Sequence, residues 1–202
     1  MGRNLSWRIY KFKVRLCELE SIMWRDIEIT SVSSVAKLGY AVLAAFESTA
    51  SHLFNIKFKG KRYEIIFEDD DFNEEPAIDP IITKLSALKL NAGDKLSMEY
   101  DYGAGWEFEI ELLSVSEMKR GAGTHCPYVT DGKGKGIIED TSPYEIAEIV
   151  EKTDNDGTLP RIADLYSGKE NEWDYRKFNL EYCNVFFKDN VYRIRCAYEE
   201  CE

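Results

Sequence analysis

Apolar and polar side chains alternate with a period of two in several stretches of this chain, and helical spacing occupies the intervals between them. Ile9 to Leu16 reads Ile-Tyr-Lys-Phe-Lys-Val-Arg-Leu, a pattern that sends successive side chains to opposite faces of a strand. Trp24 to Ile29 resumes the alternation after a short connection, so the two stretches predict a β-hairpin. Ser31, Ser33 and Ser34 offer caps ahead of Val35, Leu38, Val42, Leu43 and Phe46, whose spacing predicts a helix. His52 to Phe58 and Tyr63 to Phe67 predict strands joined across Lys59-Gly60-Lys61, and Asp79-Pro80 opens a helix expected to run to about Leu90. Further strands are expected over Lys95 to Tyr102, Trp106 to Ser116 and Val191 to Tyr198. Helices are expected from Ser142 to about Lys152, Pro160 to Ser167 and about Tyr175 to Asn184. The sum is an α+β fold: a mixed, mainly antiparallel sheet with a β-grasp-like strand-strand-helix-strand start and several helices in the C-terminal third. One domain spans residues 1–202.

The sharpest local signal is Tyr100-Asp101-Tyr102-Gly103-Ala104-Gly105-Trp106, followed by Glu107-Phe108-Glu109-Ile110-Glu111-Leu112. Trp106, Phe108, Ile110 and Leu112 share one face of a strand while the glutamates face water. The paired glycines supply the positive φ of a tight reversal, so at least one of Gly103 and Gly105 is expected there. Two other segments stand apart. Residues 68–75 hold six carboxylates, which read as a solvated loop or as a hard-cation site lacking the glycine and terminal glutamate of an EF-hand. Residues 117–140 are irregular and glycine-rich, a mobile lid or a binding loop. Within them Gly132-x-Gly134-x-Gly136 carries Lys133 and Lys135 but lacks the strand-to-helix context of a phosphate loop, so it reads as a flexible loop.

Composition narrows the chemistry. The 202 residues carry 37 acidic and 26 basic side chains, a net charge of −11, which disfavours nonspecific nucleic-acid binding. Arg3, Arg8, Lys11, Lys13 and Arg15 give the first strand a basic face, and Lys57, Lys59, Lys61 and Arg62 cluster in the next hairpin. A basic patch survives the acidic total if the two are neighbours in the sheet; otherwise these are solvent-facing charges. Five scattered cysteines show no zinc or redox spacing, and no run approaches the length of a membrane span. The expectation is a cytoplasmic protein with neither cofactor nor metal.

Candidate ligand contacts are Asp101, Tyr102 and Trp106 at the hairpin, with His52 and His125, the two histidines of the chain. A carboxylate flanked by aromatic rings suits a shallow ligand pocket, but the same carboxylate can fix the turn by accepting backbone hydrogen bonds. His52 reads equally as a structural histidine at a strand start, and His125 and its neighbour Cys126 point apart on an extended chain.

These residues resemble the plasmid pRiA4b ORF-three-like family. Met23-Trp24-Arg25-Asp26 resembles its Ile-Trp-Arg-Arg element, His52-Leu53-Phe54 its His-Leu-His element, and Tyr100 to Ile110 its Tyr-Asp-Phe-Gly-Asp-Gly-Trp hairpin. Asp131 to Gly134 is similar to its Asp-Gly segment, and Asp174 to Leu180 to its Phe-Asp-rich helix. The resemblance covers residues 7–185. Phe54, Ala104 and Phe108 stand where the family pattern has histidine, aspartate and histidine, and Lys135 to Asp140 replaces an Ala-Cys-Pro-Pro-Glu-Asp stretch, so a polar site built from those groups is depleted here. The family name denotes a reading frame and implies no activity.

Two functions are compatible with these residues. One is a non-catalytic binding module whose sheet and glycine-rich segment recognise a protein or a nucleic-acid-associated partner. The other is a hydrolase or nucleic-acid-processing enzyme using Asp101 with His125 or Cys126, which requires those groups to converge on one concave site.

Overall fold

A computed structural model describes residues 7–66, 77–118, 127–163 and 169–199. Arg8–Leu16 (β1) and Trp24–Thr30 (β2) form the expected opening hairpin, with Ile9 opposite Thr30 and Arg15 opposite Trp24. Helix α1 (Val35–Ala45) follows, then Phe54–Phe58 (β3) and Lys61–Glu64 (β4), the strand-strand-helix-strand start. Lys95–Tyr100 (β5), Trp106–Glu117 (β6) and Tyr128–Lys133 (β7) complete a sheet of order β4-β3-β5-β6-β1-β2-β7. Its strand ladders are antiparallel, and Tyr63 to Ile78 is an isolated parallel bridge. Helix α2 (Pro143–Asp156), a small hairpin of Arg161–Ala163 (β8) with Glu170–Glu172 (β9), and helix α3 (Leu180–Glu199) occupy the C-terminal third.

Period-two patterning accounts for the core. Phe12, Val14 and Leu16 of β1 meet Phe108, Ile110 and Leu112 of β6 on one face of the sheet, all fully buried. That face is covered by α1, of which every residue but Lys37 is buried, because α3 packs on α1 as well. Gly39 permits the close approach, since a Cβ there would lie 2.3 Å from the Phe54 ring. Tyr198 of α3 stacks on Tyr40 of α1 at 5.6 Å and meets Phe54 edge-on, tying the second helix to the layer beneath.

The opposite face is open and charged, and its cations are interleaved with carboxylates. Lys13 and Lys11 pair with Asp26 at 2.6 and 3.3 Å, Arg15 with Glu109 and Glu111, and Lys57 with Glu99. Strands β5 and β6 separate β1 from β3, so the two basic clusters are not neighbours and no merged basic patch forms. They are solvent-facing, locally neutralised charges.

Four expected elements differ. Residues 80–90 form turns and a short 3-10 segment, Leu85–Leu88, instead of a helix. Ile81, Ile82 and Thr83 are a β-branched run poorly suited to a helix. Thr83 O instead accepts from Val35 N–H, while Leu85 and Ser86 N–H donate to Ser33 and Ser31 carbonyls, so tertiary hydrogen bonds claim the backbone. The expected helix at 160–167 holds strand β8 at its start, and residues 164–167 lie outside the described residues. The expected strand at 191–198 is helical, because Val191, Ile194 and Tyr198 are its buried positions, a 3.6-residue stripe that the local alternation disguised. That helix starts at Leu180, where Asn179 Oδ1 accepts from Tyr182 N–H at 2.9 Å, and not at 175. The segment 117–140 also contains ordered strand β7. The acidic run at 68–75, His125 and Cys126 lie outside the described residues.

Candidate functional site

Two polar centres emerge, each assembled from segments distant in sequence. The first surrounds the β5–β6 turn. Asp101 adopts φ 52°, and its Oδ1 accepts from Gly103 N–H at 3.1 Å and Ala104 N–H at 3.2 Å, while its carbonyl accepts from Gly105 N–H. Gly105 has φ 75°, as the reversal demands. Asp101 therefore fixes the turn with one oxygen, and the other, Oδ2, lies 3.5 Å from His52 Nε2. The same ring nitrogen is 3.4 Å from Asp140 Oδ1, and the His52 carbonyl accepts from Tyr198 Oη–H. Alongside, Glu139 receives hydrogen bonds from Tyr100 Oη, Ser48 Oγ and Thr49 N–H. Burial, with the neighbouring Glu139 carboxylate adding to it, pushes the Tyr100 phenol up to about 12.

Of the sequence-predicted contacts, Asp101 and His52 come together. Tyr102 lies on the other side of the turn: its hydroxyl donates to Glu64 and accepts from Asn55 Nδ2 at 3.2 Å, and burial followed by the Glu64 hydrogen bond raises its pKa. Trp106 is fully buried in the core, and its indole N–H has no hydrogen-bond partner among the described residues, so it contributes bulk beneath the turn instead of a surface contact. His52 presents a single nitrogen, Nε2, to both carboxylates at 3.4 and 3.5 Å. Among the described residues no serine, threonine or cysteine side chain is hydrogen-bonded to it. No group of three or more metal-ligating side chains occurs among them either.

The second centre is Arg25, whose guanidinium is fully buried. Nε donates to Ala45 O at 2.9 Å. The terminal nitrogens donate to Trp24 O at 2.9 Å, Lys133 O at 2.7 Å, Gly134 O at 2.9 Å, and Lys135 O. All five N–H groups are thus engaged by backbone carbonyls. The ring of Phe178 lies 4.2 Å from the guanidinium carbon and that of Phe46 4.9 Å, one from each of two separate segments. Burial lowers the guanidinium pKa to about 10, still far above neutrality. Helix α1 has no basic residue in its last turn, and Arg25 supplies that cation from β2.

This centre explains the glycine run. A Cβ at Gly132 would lie 2.7 Å from Phe178 and 2.9 Å from Arg25, at Gly134 (φ 76°) 2.1 Å from Ile22 O, and at Gly136 2.4 Å from Phe46 O. Gly132 leaves room for Phe178 and the Arg25 stem, while Gly134 and Gly136 let the backbone pass the Ile22 and Phe46 carbonyls. They form neither a phosphate loop nor a flexible one.

Sequence reasoning missed a third feature, the outward face of α3. Tyr182, Val185 and Phe186 are 68, 66 and 47% exposed, and Tyr128 of the adjacent β7 is 42% exposed. The Tyr182 and Phe186 rings touch edge-on at 5.4 Å. Helical spacing of 182, 185 and 186 was the available signal, but it becomes visible only once α3 is known to begin at 180. Strand β7 is the sheet edge, yet Asn184 of α3 brackets Val129, accepting from its N–H at 3.1 Å and donating to its carbonyl at 2.8 Å, so the edge is partly closed to strand addition.

Comparison with known proteins agrees with this architecture. The chain is 24% identical over 144 residues to uncharacterized protein y4hQ of Sinorhizobium fredii (strain NBRC 101917 / NGR234), covering 71% of this chain and 72% of that protein. It shares its fold with a protein of unknown function, MM3350, from Methanosarcina mazei Go1. The TM-score is 0.68 at 19% identity, covering 87% of this chain and 97% of the crystal structure's. The segments carrying the resemblance noted above meet in space: Arg25, Gly132 and Phe178 form one centre, and His52, Asp101 and Asp140 the other. The pattern that defines the family described as plasmid pRiA4b ORF-3-like protein matches residues 8–182, and the chain belongs to that family.

Proposed function

We propose that this protein is a non-catalytic binding module that docks a protein partner through the solvent-facing side of α3 and the neighbouring end of β7. The observation that carries this reading is the group of exposed apolar side chains Tyr182, Val185, Phe186 and Tyr128. Contiguous exposed aromatic and aliphatic surface is costly in water, and tyrosine-rich patches supply the anchors of protein interfaces. A protein partner is favoured over nucleic acid because the cations of the open sheet face are interleaved with Glu99, Glu109, Glu111 and Asp26, leaving little field there for a phosphate backbone.

The test is affinity capture from the native host with quantitative mass spectrometry, comparing wild type with Tyr182→Ala/Phe186→Ala. Both side chains are exposed, so the melting temperature should hold while the partner is lost by roughly thirtyfold, the effect of about 2 kcal/mol at an anchor. Equal recovery by the variant, or turnover of a defined substrate that requires His52 and Asp101, refutes the reading.

A further inference from the structure

The open face of the sheet carries a cleft of about 600 Å³ over β3, β5 and the first half of β6. Its volume lies within the range of small-ligand sites. Strand register lays out its floor in rows. Asn55 lies opposite Glu99 and Glu99 opposite Glu107, while Lys57 lies opposite Ser97 and Ser97 opposite Glu109. Lys95 and Lys59, the latter in the β3–β4 turn, close the far end. Ser97 is the one short side chain in its row, so the surface dips between its long neighbours. The rings of Phe58 and Phe108 are buried in the core, which leaves recognition in the cleft to polar groups.

Those groups are polarised along the strands. In the middle, Lys57 pairs with Glu99 at 3.3 Å and Lys95 with Glu109 at 2.8 Å. The least compensated charges sit at opposite ends. At one end Glu107 is exposed and forms no ion pair among the described residues, and at the other Lys59 reaches a carboxylate, Asp94, only at 3.7 Å. The Glu107 end holds a second unmet acceptor. Asn55 is 4% exposed, and its Nδ2 donates to Glu99 Oε2 and Tyr102 Oη, both at 3.2 Å, which fixes the orientation of the amide. Its Oδ1 accepts from no group among the described residues. A buried carbonyl oxygen without a donor is rare in folded proteins, and this one belongs to a side chain lining the cleft. One end therefore offers acceptors to N–H donors, and the other offers ammonium groups to a carboxylate. Lys95 to Glu99 spans four residues of strand, about 13 Å, and an extended tripeptide is about 10 Å long, a difference that lysine and glutamate side chains cover.

We infer that this cleft binds a peptide of two or three residues with free ends, its ammonium group at Asn55, Glu99 and Glu107 and its carboxylate at Lys59 and Lys95. A zwitterion of this length meets both ends of the cleft at once. A single amino acid reaches only one of them, an internal segment of a protein brings no charged termini, and a polyanion or polycation meets its own charge at one end.

The test is an NMR titration of the isotope-labelled full chain in low-salt buffer with three probes: trialanine, its N-acetylated form and its C-terminal amide. Trialanine should bind saturably, shifting backbone amides of β3, β5 and β6, with a dissociation constant on the order of 1 mM. Each blocked form should bind at least about fivefold more weakly. Two single substitutions then assign the ends, and both positions are exposed, so the unliganded melting temperature should hold. Glu107→Gln should weaken trialanine and the amide by about threefold and leave the acetylated form, which lacks the ammonium group, unchanged. Lys59→Gln should weaken trialanine and the acetylated form by about threefold and leave the amide unchanged. Tyr182→Ala/Phe186→Ala should leave all three affinities as they are, which separates this site from the proposed partner surface. Absence of saturable trialanine binding overturns the inference, as does equal binding of the blocked forms. It is also overturned if the two substitutions act alike on every probe, which would mark a net-charge effect, or if the Tyr182→Ala/Phe186→Ala variant loses trialanine, which would place the peptide on α3.

Discussion

Replacing Arg25 by lysine keeps the positive charge and most of the aliphatic stem, and changes only how many carbonyls can be reached. The guanidinium covers five carbonyls, those of Trp24, Ala45, Lys133, Gly134 and Lys135. An ammonium has three N–H groups radiating from a single atom, so at least two of those carbonyls lose their donor inside a closed site. At about 1–2 kcal/mol for each buried group left without a partner, the loss comes to about 2–4 kcal/mol, before counting the weakened contacts with Phe46 and Phe178. Urea unfolding followed by tryptophan fluorescence should show a lower midpoint with an unchanged slope. Arg15→Lys is the control: it has the same chemistry on the open sheet face, where Glu109 and Glu111 remain accessible to water, and should cost less than about 1 kcal/mol. Equal effects of the two substitutions would refute the argument that Arg25 is a buried staple satisfied donor by donor.

Gly134→Ala should destabilise by about 2–4 kcal/mol, because its φ of 76° and the Ile22 carbonyl 2.1 Å from the new Cβ act together, as thermal unfolding would show. In the turn, Gly105→Val should cost about 1–3 kcal/mol, whereas Gly103→Ala should be close to neutral, its Cβ meeting only Asp101 Oδ1 at 3.4 Å; equal melting temperatures would deny the distinction. Asp101→Asn keeps an oxygen for Gly103 and Ala104 and should preserve the melting temperature, whereas Asp101→Ala should lose about 1–2 kcal/mol. For Tyr100 the pH dependence has a definite sign. The folded protein holds the phenol proton up to about 12, against an ordinary value of 10.0, so its contribution is complete below pH 10 and is lost as pH rises through 12. It is on the order of 2 kcal/mol, and the alkaline fall in urea midpoint should flatten in Tyr100→Phe.

Strands and hairpins were legible wherever a single face is buried, because alternation then records the sheet directly: β1, β5 and the first half of β6 follow it residue by residue. The turn-fixing reading of Asp101 was legible, and Oδ1 accepts from the Gly103 and Ala104 N–H groups, while Oδ2 faces His52. Val191 to Tyr198 misled because Tyr192-Arg193-Ile194-Arg195-Cys196 alternates locally while Val191, Ile194 and Tyr198 also lie on one helical stripe, and only contact with α1 decides between the periods. The glycines at 132, 134 and 136 misled for another reason. Their causes are distant in sequence, Phe178 and Arg25 for Gly132, the Ile22 carbonyl for Gly134 and the Phe46 carbonyl for Gly136, and no local pattern encodes them.

The claim that α3 and β7 form a partner-binding face is tested most directly by placing a photo-crosslinking amino acid at position 186 in the native host and identifying the products by mass spectrometry. Position 59, on the distant β3–β4 turn, serves as the control. The account predicts one dominant cross-linked protein from position 186 that is absent from position 59 and is lost when Tyr182 is replaced by alanine. No product at 186, or the same product from both positions, would contradict it.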